Sequence, residues 1–128
     1  MLQLDPANTY AMNNRALIYS EQGEYELAIE EYTSAIAIDP ERPLYYSNRA
    51  LRYQHLKDYQ KAIEDYTIAI NLDKENPEGY TERAYCYEEM EDYTSALKDY
   101  DKAIDLAPKD VDYLNDRGLL YYNQGQYE

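Results

Sequence analysis

The chain repeats itself every 34 residues. "NNRALIY" at 13–19 returns as "SNRALRY" at 47–53, "TERAYCY" at 81–87 and "NDRGLLY" at 115–121. Three full units follow at 5–38, 39–72 and 73–106, then a partial one at 107–128. A fixed period of this length means one supersecondary unit copied along the chain, each copy burying its apolar face against its neighbours. The columns are Arg15, Arg49, Arg83 and Arg117; Tyr19, Tyr53, Tyr87 and Tyr121; Tyr25, Tyr59, Tyr93 and Tyr127; Ala28, Ala62 and Ala96; Tyr32, Tyr66 and Tyr100; and Ala35, Ala69 and Ala103. Of the 18 tyrosines, 11 stand in three of these columns, so the aromatic excess belongs to the repeat.

Each unit reads as two helices. Tyr59, Ala62, Ile63, Tyr66, Ala69 and Ile70 make one helical stripe, and Tyr46, Ala50 and Tyr53 make a second, shorter one before it. Short links such as "EQGEY" and "HLKDY" join the two, with Gly23 and Gly125 suited to the turn. Pro43 and Pro77 suit the first turn of a helix, where a lost N–H costs nothing. Alanine columns let helices approach closely, and tyrosine fills the space opposite.

This pattern resembles the tetratricopeptide repeat (TPR) family along essentially the whole chain. The resemblance is carried by Ala16, Ala50 and Ala84 with Gly118, by the other Ala and Tyr columns, and by Pro40 and Pro108. The first helices look most like the subtype with Asn-Arg-Gly or Asn-Arg-Ala. The implied fold is all-α: a right-handed α-solenoid of antiparallel helix pairs. "MLQLDP" at 1–6 matches the end of a second helix and Glu128 stands where another begins, so the chain reads as a piece of a longer array. The last helix, about 111–124, is expected to leave Leu114 and Tyr121 partly exposed.

Arg15, Arg49 and Arg83 each precede an acid by 16 residues, namely Glu31, Asp65 and Asp99. Two antiparallel helices can bring these together, and a partly buried guanidinium requires a carboxylate. The expectation is one structural ion pair per full unit, with Arg117 left unpaired because the chain stops first.

In the family, first helices line a concave face that holds an extended peptide or a partner helix. Similarity places Tyr10, Asn13, Asn14 and Leu17 there, then Leu44, Ser47, Asn48 and Leu51, then Glu78, Thr81, Glu82 and Tyr85, and finally Asp112, Asn115, Asp116 and Leu119. Asparagine can donate to and accept from a peptide main chain. The competing reading of these positions is a solvated face without a ligand. Chaperone-binding relatives grip a C-terminal carboxylate with Lys, Asn, Asn, Lys and Arg. Those places fall on Asn13, Leu17, Asn48, Glu78 and Glu82, of which Asn48 alone matches. Each misplaced charge at about 4 Å opposes a carboxylate by roughly 4 kcal/mol at an effective dielectric near 20. The expectation is that an acidic C-terminal chaperone peptide does not bind.

Charge points the same way. The units carry −5, 0, −7 and −2, summing to the net −14. Glu78, Glu82, Glu88, Asp112 and Asp116 crowd the third and fourth units, which favours a basic or neutral protein segment as partner. The alternative is that the acids serve solubility. The acidic balance excludes a nucleic-acid footprint and attraction to anionic membranes, and no apolar run is long enough to span a bilayer. Cys86 is the only cysteine, which rules out an internal disulfide and suits a cytoplasmic protein. His55 is the only histidine, so no His-based metal cluster or hydrolytic triad can form. It is expected to be a surface residue at a helix end, facing the groove at most. "EEMED" at 88–92 lacks the spacing of a calcium loop and reads as a wet turn. No enzyme, metal or cofactor is expected. The function indicated is a non-catalytic interaction scaffold with an acidic, polar groove. Its alternative is a self-assembling module that forms a homo-oligomer through the open last helix.

Overall fold

The computed structural model describes residues 6–125. They form seven helices: α1 (Pro6–Glu21), α2 (Tyr25–Ile38), α3 (Pro43–His55), α4 (Tyr59–Leu72), α5 (Pro77–Glu89), α6 (Tyr93–Leu106) and α7 (Val111–Gly125). Each helix packs on the one before and the one after it. The closest packing is inside the hairpins α1/α2, α3/α4 and α5/α6.

The turns inside the hairpins share one device. The second residue after the first helix takes a left-handed conformation at Gly23 (φ 79°), Lys57 (φ 63°) and Glu91 (φ 61°). One residue later, the amides of Glu24, Asp58 and Asp92 reach back to the carbonyls of Tyr19, Tyr53 and Tyr87 at 2.8–2.9 Å. This is the Schellman closure of a helix C-terminus. Asp58 and Asp92 then cap the next helix, accepting from the amides of Lys61 and Ser95. Glycine tolerates a left-handed backbone that lysine and glutamate resist. Replacing Lys57 and Glu91 by glycine is therefore expected to raise stability by about 0.5–1 kcal/mol each. Urea unfolding of the two single variants checks this.

The core follows the columns. Ala16, Ala28, Ala35, Ala50, Ala62, Ala84, Ala96 and Ala103 are fully enclosed. Tyr32, Tyr66 and Tyr100 are buried beside them. Gly118 takes the alanine position in α7, but a side chain there would meet nothing. α7 also leaves Val111, Leu114, Leu119, Tyr121 and Tyr122 exposed. No helix among the described residues is long and apolar enough to cross a membrane. Residues 1–5, Tyr127 and Glu128 lie outside the described residues, so the expectations placed on them stay expectations.

The arginine column is held by carboxylates. Arg49 donates from Nε and Nη2 to Asp65 at 2.7 and 2.8 Å. Arg83 does the same to Asp99 at 2.8 and 2.7 Å. Arg15 lies 2.8 Å from Glu31 but is half-exposed, because no described helix covers the outer flank of α1. The expectation for Arg117 was wrong: its Nη1 donates to Asp101 at 2.9 Å, 16 residues earlier on α6. Arg49 and Arg83 also reach 16 residues back, to the hydroxyls of Thr33 and Thr67 at 3.1 Å. The column thus binds backwards to the preceding unit as well as forwards within its own. Reading the spacing in one direction only concealed that.

Candidate peptide-binding groove

Helix periodicity sends every third or fourth residue of α3 and α5 to one face, and two adjoining cavities lie along it. One, of about 220 Å³, is lined by Leu44, Ser47, Asn48, Leu51, Tyr66, Asn76, Glu78, Gly79 and Glu82. The other, of about 300 Å³, is lined by Gln54, Thr81, Glu82, Tyr85, Tyr100 and Asp116. Glu82 is common to both. Gly79 lines the first and lets α5 lie close on α4, where an added Cβ would stand 3.0 Å from Ile70 Cγ1.

The second and third units therefore supply most of this surface. First-unit positions sit beside it: Tyr10 is exposed with the Arg42 guanidinium 5.6 Å from its ring centre, and Asn14 and Leu17 are exposed. Asn13 accepts a hydrogen bond from Asn48 Nδ2 at 3.1 Å, so these two amides satisfy each other across α1 and α3. In α7, Asp112, Asn115 and Leu119 stand exposed, while Asp116 reaches the second cavity.

Three contributors escaped the sequence reading. Tyr66 and Tyr100 belong to packing columns, yet their hydroxyls emerge on this face. Tyr66 donates to Gln54 at 2.8 Å and lies 3.3 Å from Glu82 Oε2. Tyr100 lies 2.5 Å from Glu88 Oε1. A buried ring with a polar tip can serve core and groove together, and the column pattern registers only the ring. Gln54 was visible as the residue one helical turn after Leu51. Within "EEMED", Glu88 is half-buried beside Tyr100, while residues 89–92 are exposed as a solvated turn would have them. His55 turns away from the groove to stack on Tyr25, ring centres 4.6 Å apart. Cys86 is enclosed in the α3/α4 core cluster with Ala50, Ala62, Ile63 and Tyr66, and burial pushes its thiol up to about 12.

Burial raises the pKa of Glu82; Glu78 and Asp116 raise it further, against the Tyr66 hydrogen bond. Glu88 is raised by burial and then by Asp116 and Glu89, against Tyr100. Asp116 is raised by burial and by Asp112 and Asp110. Between the ordinary carboxylate range and neutrality, the folded state then holds more protons than the unfolded one. For these groups stability falls as pH rises. Melting temperature is expected to climb from about pH 7 to about pH 5, with a shallower slope in Glu82→Gln/Glu88→Gln. A melting temperature that falls over that interval contradicts the assignment.

Family models for the TPR repeat and the tetratricopeptide repeat match residues 16–57, 43–76 and 77–110, and another matches 1–30 and 99–128. The chain belongs to the tetratricopeptide repeat family. These matches do not single out the Asn-Arg-Gly/Ala subtype. Among curated protein sequences none matches. Among solved structures, the repeat array is similar to the first TPR of Spaghetti (RPAP3) bound to the HSP90 peptide SRMEEVD, with TM-score 0.87, 25% identity, and 98% of this chain and 99% of that one covered. It is similar to the second TPR domain of human RPAP3 in complex with the HSP70 peptide SGPTIEEVD, with TM-score 0.84, 26% identity, and 91% and 98% covered. It is likewise similar to the Arabidopsis OM64 TPR domain, with TM-score 0.84, 25% identity, and 92% and 98% covered.

These neighbours overturn the partner expectation. Arrays of this shape and this degree of identity carry acidic peptides ending in Glu-Glu-Val-Asp, so neither the exclusion of such a peptide nor the preference for a basic or neutral segment stands. Glu82 is not a bare carboxylate: its Oε2 lies 3.3 Å from the Tyr66 hydroxyl, and its pKa is raised by burial and by Glu78 and Asp116.

Proposed function

We propose that this array is a non-catalytic scaffold that holds an extended segment of a partner protein along the face shared by α3 and α5, continued by α1 and α7. The observation that carries this reading is the pair of adjoining cavities meeting at Glu82, lined by amides, hydroxyls and the apolar floor of Leu44, Leu51 and Tyr85. A groove that offers donors and acceptors beside short apolar patches suits a main chain with alternating side chains. The peptides seen on RPAP3 give the first probes. Calorimetric titration with the SRMEEVD heptapeptide and with scrambled and neutral controls tests it. Binding that Leu51→Asp weakens about tenfold or more supports the groove. Absence of binding to every probe rejects it.

A second reading rests on α7, where Leu114, Leu119, Tyr121 and Tyr122 are exposed together. There the array associates with another copy through its last helix. Light scattering over a concentration series separates the two: a dimer lost in Leu114→Asp favours association, and a persistent monomer favours the groove alone.

A further inference from the structure

We infer that Arg52 anchors a carboxylate of the bound segment, in a cell formed by Ser20, Tyr32, Asn48 and Arg52 beside the cavity that Asn48 lines; this rests on the peptide-binding reading above. The sequence contains six arginines, and five of them meet a carboxylate within 3.0 Å. Arg52 is the sixth. It is only 6% exposed, and no described carboxylate lies within ion-pair distance of it. Its Nε donates to Ser20 Oγ, and its guanidinium stands 5.8 Å from the Tyr32 ring centre. A guanidinium carries five N–H donors, and burying it without an anion is costly. Packing does not explain the choice of residue. Cys86 and Leu120, at the same register in the next two units, are fully buried and apolar.

The repeat identifies what belongs beside Arg52. In the second unit the tyrosine hydroxyl meets Gln54 and the carboxylate of Glu82. In the third, it meets the carboxylate of Glu88. In the first, the equivalents of Gln54 and Glu82 are Ser20 and Asn48, neither of them acidic, and the buried Tyr32 hydroxyl has no acceptor, lying instead beside the Arg52 guanidinium. Two cells supply their own carboxylate, and the remaining one supplies a guanidinium and a hydroxyl with no acceptor. Its polarity is reversed, and a carboxylate completes it with charge-assisted hydrogen bonds. Asn48, which stands in the register of Glu82, also lines the 220 Å³ cavity, so a peptide there lies beside this cell. The charge of Arg52 is felt nearby: after burial, it is the cause that lowers the pKa of His55.

Arg52→Leu is the decisive variant, because leucine is fully enclosed at the same register in α7 and the fold is expected to persist with a melting temperature no lower than wild type. Calorimetry compares wild type, Arg52→Leu and Leu51→Asp against the acidic heptapeptide, its C-terminal amide and its Glu-to-Gln form. In wild type, about tenfold weaker binding is expected for whichever peptide has lost the anchored carboxylate: the amide if it is the terminus, the Gln form if it is a side chain. Either result supports the site, provided Arg52→Leu loses that discrimination. If Leu51→Asp abolishes binding while Arg52→Leu binds all three peptides within about twofold of wild type, this inference alone is overturned. If wild type binds none of them, the groove reading falls and this inference with it.

Discussion

Asp65→Ala is expected to destabilise the array by about 3–5 kcal/mol. Asp65 is 3% exposed and accepts two hydrogen bonds from Arg49. Removing it leaves a mostly buried guanidinium with only the Thr33 hydroxyl at 3.1 Å. The cost lies in that stranded charge and not in the net value of the pair. Arg49→Leu/Asp65→Leu is accordingly expected near neutral, since two apolar side chains need no solvation. The half-exposed Arg15–Glu31 pair supplies the contrast, with less than about 1 kcal/mol expected for Glu31→Ala. Urea denaturation of the four proteins tests the set. Equal losses for Asp65→Ala and the double variant would refute this account.

Tyr66→Ala is expected to cost about 3–5 kcal/mol by a different route. The ring is 2% exposed and packs with Ala50, Ala62, Ile63 and Cys86, so truncation leaves a cavity at the centre of the array. Neighbouring units in a solenoid stabilise one another through their interfaces. A defect in the middle unit should therefore broaden the unfolding transition as well as lower its midpoint. Tyr66→Phe keeps the packing and removes only the hydroxyl between Gln54 and Glu82, with a loss of about 1 kcal/mol expected. Circular dichroism during urea unfolding follows both variants. A loss for Tyr66→Phe as large as that for Tyr66→Ala would show that the hydroxyl, not the ring, holds the helices together.

The site was legible in part. Ser47, Asn48, Leu51, Glu78, Thr81, Glu82, Tyr85 and Asp116 line the two cavities, and each could be located from its place in the first helix. Tyr66 and Tyr100 could not be ranked that way, because a column shows that a ring is buried without showing where its hydroxyl emerges; Gln54, one turn after Leu51, was within reach of the same reading. Arg52 was equally hidden. It occupies a column with Ile18, Cys86 and Leu120, and a mixed column carries no visible rule.

The sequence by itself determined the period, the helix pairs, the enclosed alanines and the carboxylate 16 residues after each of Arg15, Arg49 and Arg83. These follow from local periodicity and recur at every copy, so one unit explains the others. Only the tertiary structure decided which polar groups satisfy each other: Asn48 with Asn13, Arg117 with Asp101, Tyr66 with Gln54 and Glu82, and Arg52 with no carboxylate. Those pairings depend on ångström-scale distances between helices of different units, and the spacing of residues along the chain does not encode which of several reachable partners is met.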